Sequence, residues 1–147
     1  MKTKIVKTKA PGKTSTRQGG PATDHIDAAR RAQGAIKQDP NAPENYTALA
    51  GALRMLAQFV RERNPESSDN LLHLACAAAW EAKSRSDPAL ISGRTKQEIK
   101  VLTAWVRTKN HLSPDAAEAM MERIRSEYLE RALNSSDAGY LLGFVRG

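Results

Sequence analysis

The sequence predicts an all-α protein, a compact bundle of about five to six helices with a flexible basic N-terminal arm. Three observations lead there. Tyr46, Leu49, Ala50, Leu53, Leu56, Ala57 and Val60 recur with the 3.6-residue period of an amphipathic helix. Residues 71–82 (LLHLACAAAWEA) hold five alanines and no glycine, proline or β-branched residue, a composition that favours helix. Aromatics are only 5% of a chain that is 40% hydrophobic, which suits close-packed helices and leaves a β-sandwich short of its usual core residues.

The 71–82 stretch organises the rest. Only His73 and Glu81 are polar there, so the helix is apolar nearly all round and is expected to be buried. Its twelve residues fall well short of the ~20 needed to span a membrane. Leu71, Ala75, Ala78 and Ala82 form a small-residue face suited to close approach of the 46–60 stripe. The opposite face, with Cys76, Ala77 and Trp80, is expected to meet either the apolar side of 99–106 or a second subunit.

The chain has 147 residues, one domain by size and large enough to bury a core unaided. Residues 1–22 read as a disordered basic arm, rich in Lys, Thr, Ser, Gly and Pro, with too little apolar surface to offset ordering. Residues 23–147 read as the helical domain. The single cysteine excludes an internal disulfide and no apolar run resembles a signal-peptide core, so a cytoplasmic protein without a membrane partner is expected.

In chain order, the first helix is expected from Thr23 as N-cap to about Gln38, with Asp24 and Asp27 near its positive end and Ile26, Ala29, Ala32 and Ile36 inward. Asp39-Pro40 stops it, because the residue before proline leaves the α region. Asn41, with Glu44 three residues on, is expected to cap the second helix, which ends near Arg63 at Asn64-Pro65. Ser67 or Ser68 is expected to cap the central helix, which ends before Asp87-Pro88. A single turn is expected at 89–91 before Gly93 breaks it. Thr95 and Glu98 form a capping-box pattern that opens the next helix, running to Asn110. Ser113-Pro114 opens another, with Ala117, Met120, Met121, Ile124, Tyr128 and Ala132 inward as far as Leu133. A short sixth helix is expected over 137–145.

The net charge of +7 is unevenly placed: +6 over residues 1–20, −2 over 21–82, +5 over 83–109 and −2 over 110–147. The basicity belongs to the arm and to one internal helix. Lys2, Lys4, Lys7, Lys9, Lys13 and Arg17 have no acid among them. On the 95–110 helix, Lys96, Lys100, Thr103 and Arg107 align at i, i+4, i+7 and i+11, opposite Ile99, Val101, Leu102, Trp105 and Val106. The ridge spans roughly 16 Å at 1.5 Å per residue, a rail on which phosphates can be neutralised. Arg94 and Lys109 lie at its ends. Arm plus ridge is a common division of charge in small nucleic-acid binders, although the same ridge also describes an ordinary solvated face.

Other motifs lead less far. A helix-turn-helix drawn through the 110–113 turn would aim Asp115, Glu118 and Glu122 at the phosphates, where they are repelled. Gly12-Lys13-Thr14 lacks the earlier glycine of a phosphate-binding loop, since position 7 is Lys7. His73 and Cys76 share a helix, but two ligands do not make a metal site, and His25 and His111 lie on other segments. Glu118 and Glu122 read as a solvated acidic face. No serine stands in a nucleophile-elbow context. No cofactor, metal or enzymatic activity is therefore expected.

Ala28, Ala32, Ala35 and Pro40, followed by Tyr46, Leu49, Ala50 and Leu53, resemble the second helix of one tetratricopeptide repeat and the first helix of the next. The resemblance implies antiparallel helical hairpins and a peptide-binding groove. It stops there: Asp87-Pro88 follows Asp39-Pro40 by 48 residues, not the 34 of that repeat.

Two functional expectations result. The first is a non-enzymatic protein that associates with DNA or RNA through arm and ridge without strict sequence reading. The second is a helical adaptor or assembly protein, binding an acidic protein partner or oligomerising with itself through apolar surface such as 71–82 and the tail 140–145.

Overall fold

Three X-Pro pairs set where helices begin. In the computed structural model the described residues are 20–134, with side chains described from residue 23. They form five α-helices and no strand: α1 (Gly20–Gln38), α2 (Pro43–Val60), α3 (Pro65–Arg85), α4 (Gly93–Asn110) and α5 (Pro114–Asn134), with a 3-10 turn at Pro88–Leu90 between α3 and α4. The expected helix over 137–145 lies outside the described residues.

Proline is the first residue of α2, α3 and α5. Its missing N–H and fixed φ are harmless there, since first-turn amides have no intrahelical acceptor. Several expected caps are thereby corrected. Ala42, not Asn41, precedes Pro43 and occupies the N-cap of α2 without a side-chain hydrogen bond; the Asn41 amide instead donates to Asp39 Oδ1 at 3.2 Å. Helix α2 ends at Val60, earlier than the expected Arg63, and Asn64-Pro65 starts α3. Asn64 Oδ1 accepts from the Ser67 amide at 3.1 Å, leaving Ser67 and Ser68 inside the first turn. Ser68 donates across to the Ala57 carbonyl at 2.9 Å.

Helix α1 starts at Gly20, so Thr23 is a helical residue rather than a cap; Pro21 stands within the first turn, where it is tolerated. Helix α4 starts at Gly93 rather than breaking there. Ser92 is its cap, accepting from the Thr95 amide at 3.1 Å. Thr95 and Glu98, expected to form the cap, are both buried one turn inside the helix. The Thr95 hydroxyl lies 2.7 Å from that of Thr47, joining α4 to α2. His111 ends α4 in the left-handed region with φ 55°, its amide bonded to the Arg107 carbonyl. Ser113 caps α5 as expected, accepting from the Ala116 amide at 3.2 Å.

The inward stripes match the sequence pattern, except that Met120 and Tyr128 of α5 are only partly buried against the core. Ile26, Ala29, Ala32 and Ile36 of α1, the seven-residue stripe of α2, and Ala117, Met121, Ile124 and Ala132 of α5 are all buried. Burial of side chains this size is worth roughly 1.5–3 kcal/mol each for the larger ones. Helix α3 is the spine: Leu71 and every residue from Leu74 to Ala82 are buried. It packs most extensively on α2, next on α5, then on α4, while α1 lies on the far side of α2. The second face of α3, with Cys76, Ala77 and Trp80, is thus covered by α5 and α4 of the same chain. A buried Gln33 amide donating to the Ala132 carbonyl at 2.7 Å ties α1 to the end of α5.

Candidate nucleic-acid interface

Helix α4 is held from one side only. Leu102 and Val106 are fully buried, Ile99 and Trp105 pack against the core edge, and Thr95 and Glu98 face α2. This anchoring fixes the rotation of the helix and turns Lys96, Lys100 and Arg107 outward, where all three are exposed. None of them pairs with a carboxylate among the described residues. Arg107 Nε donates to the Leu112 carbonyl at 3.2 Å, which steadies the side chain and leaves its terminal nitrogens outward. Thr103 is only half exposed, with its hydroxyl turned away from solvent, so the ridge consists of three cations.

The other sequence-selected residues divide. Lys109 pairs with Asp69 of α3 at 2.7 Å and lies 5.8 Å from the Trp105 ring centroid, so it staples α4 to α3. Arg94 is exposed but faces away from the ridge, toward an open groove whose floor is α2. Lys2, Lys4, Lys7, Lys9, Lys13 and Arg17 lie outside the described residues.

Arginines elsewhere are engaged in holding helices together. Arg54 of α2 grips Glu98 of α4 with two parallel bonds, Nε to Oε1 at 2.9 Å and Nη2 to Oε2 at 2.8 Å. The hydrogen bond that Arg54 donates to Glu98 raises the Arg54 pKa against the opposing effect of burial. Glu81, buried one turn before the end of α3, accepts from Arg85 Nε at 2.5 Å and from Arg125 Nη1 of α5 at 2.9 Å. Arg125 also pairs with Glu122, whose carboxyl is held below the usual carboxylate range chiefly by that hydrogen bond. Trp80 Nε1 donates to Glu122 at 3.0 Å. Arg85 reaches the Pro40 carbonyl at 2.7 Å and covers the Tyr46 ring.

The two residues considered for metal or chemistry on α3 are packed into the structure. Burial pushes the Cys76 thiol well above its ordinary pKa, which makes a thiolate nucleophile or ligand unfavourable. His73 Nδ1 lies 2.7 Å from the Asp69 carbonyl, with its ring edge-on to Trp105 and tilted against Tyr128. Among the described residues no three His, Cys, Asp or Glu side chains gather as a metal site, and no helix is long and apolar enough to cross a membrane.

The sequence implied a groove only through the tetratricopeptide resemblance, without placing the residues that line this one. It has a volume of about 540 Å³ and lies between α1 and the start of α4. Ala48, Gly51 and Ala52 make its floor, with His25 and Arg31 on the α1 side and Arg94 and Glu98 on the α4 side. Its sequence signal was present: Met55 and Phe59 are large apolar residues off the inward stripe of α2, and both are about 40% exposed.

The described residues thus form a five-helix bundle whose surface carries a basic ridge and, separately, an arginine-walled groove. No family model, curated protein or solved structure matches the chain.

Proposed function

We propose that this chain is a non-enzymatic cytoplasmic protein that associates with nucleic acid through the α4 ridge and the basic arm, by charge rather than by base reading. The observation that carries this reading is the outward face of α4, where Lys96, Lys100 and Arg107 stand exposed with no carboxylate pairing them among the described residues. Six further cations without an acid in residues 1–20 add to the same field. Phosphates neutralised along such a rail release counterions, so affinity must fall steeply with salt. The engagement of His73 and Cys76 in packing supports a binding role over catalysis.

The test is a salt series of gel shifts on a short duplex and on a single strand. Replacing Lys96, Lys100 and Arg107 by Gln should weaken binding and flatten the slope of log K against log salt by about 2–3, near 0.9 for each duplex phosphate no longer neutralised. Gln at the six arm positions should flatten it further. Duplex binding that persists unchanged at about 0.5 M salt would contradict the mechanism.

A further inference from the structure

We propose that the groove between α1 and α4 docks an acidic amphipathic helix of a partner protein. This inference is independent of the α4 ridge. The floor is apolar along Ala48, Ala52 and Met55, at i, i+4 and i+7 on one side of α2, while the Glu98 carboxylate stands over Gly51; Phe59, at i+11, continues the line beyond the groove. At 1.5 Å per residue that stripe is roughly 16 Å long, enough for three turns of a docked helix with anchors at i, i+3, i+4 and i+7. Met55 and Phe59 are two of the three exposed large hydrophobic residues among those described, the third being Leu90 on the 3-10 turn. Their coincidence with the line of the groove is what makes it a surface awaiting cover.

Charge identifies the occupant. The groove is lined by Arg31, Arg54 and Arg94, together with His25, against the single carboxylate of Glu98, and both Glu98 oxygens are taken by Arg54. Arg31 and Arg94 stand on opposite walls and make no ion pair among the described residues. Asp24 and Asp27 of α1 do not line the groove. Arg63 lies 5.7 Å from the Phe59 ring centroid at the far end. A helix with leucines on one side and glutamates flanking them matches methyl-lined floor and cationic walls together. A second copy of this chain would set these arginines against one another. The chain's own arm, with six cations, is repelled in the same way. A nucleic-acid duplex, with its bases already stacked inside, would leave the apolar floor and Phe59 without apolar contacts.

Two labelled peptides of roughly 18 residues, sharing one leucine face and flanked by Glu in one and Lys in the other, test this by fluorescence anisotropy with the full chain. The Glu peptide should bind saturably and the Lys peptide should not. Met55→Glu, and separately Arg31→Glu with Arg94→Glu, should each weaken the Glu peptide by about tenfold or more. All three positions are exposed, and unchanged helical circular dichroism shows that the fold is retained. Equal binding of both peptides, no binding of the Glu peptide, or indifference to these substitutions overturns the proposal. A dimer that Met55→Glu dissociates overturns it in favour of a second copy. Duplex binding through α4 should be unaffected by Met55→Glu; loss of that binding would reassign the groove to nucleic acid.

Discussion

Glu81 on α3 and Glu98 on α4 are both buried carboxylates gripped by arginine from another helix, yet their surroundings differ. Glu81 is shared by Arg85 and Arg125, and through them it connects the α1–α2 loop, Tyr46, Trp80 and Glu122. It joins parts of the chain more than forty residues apart. Among the described residues Glu98 pairs with Arg54 alone, in a two-bond fork at the rim of the α1–α4 groove. One carboxylate is a hub inside the bundle and the other is a latch beside a surface. The contrast sorts the cations by task. Arg54, Arg85, Arg125 and Lys109 hold helices together, whereas Arg31, Arg94, Lys96, Lys100 and Arg107 are exposed and make no ion pair among the described residues.

The hub predicts the largest loss on substitution. Glu81→Ala leaves two guanidinium groups facing a pocket from which their charge partner has gone, and should lower stability by about 3 kcal/mol. That is the low end for breaking a buried pair, because both arginines still reach water. Urea unfolding should show a lower midpoint with an unchanged slope. Glu98→Ala should be milder, about 2 kcal/mol, since Arg54 can turn into the groove and hydrate. Replacing Arg54 and Glu98 together by Leu should return most of that loss. The distinction between hub and latch fails if Glu98→Ala is the more damaging single change.

Sequence patterning and pair geometry explain why some of this was readable beforehand. The stripes of α1, α2 and α5 and the all-round burial of α3 follow from where apolar residues recur, and burial is what that periodicity reports. Helix starts were displaced because Asn64-Pro65 reads as a stop, although proline is equally at home as the first residue of the next helix. The pairings were not readable. Arg54, Arg94 and Arg107 look alike on a helical wheel, and which of them meets a carboxylate depends on how α4 lies against α2, set by the packing of Leu102 and Val106 and by the contact between Thr47 and Thr95. The ridge cations were identifiable because they lie opposite an apolar stripe. The groove required recognising Met55 and Phe59 as large residues out of phase with the core.

The smallest predicted effect concerns the exposed edge of the hub. Glu122 is half exposed, and its pKa is lowered chiefly by the hydrogen bond from Arg125. A carboxyl whose folded pKa lies below its unfolded value of about 4.3 stabilises the fold at neutral pH, and that contribution is lost as pH falls through the folded pKa. Acidification below about pH 4 should therefore release Arg125 and the Trp80 indole from Glu122 before the buried core opens. In a Trp105→Phe background the emission of Trp80 reports this directly, because its Nε1 donates to Glu122 at 3.0 Å. Glu122→Gln should abolish the early acid change in emission while leaving the main unfolding step in place. If the early step survives Glu122→Gln, the acid-sensitive contact lies deeper, and the hub is no sturdier toward acid than the latch.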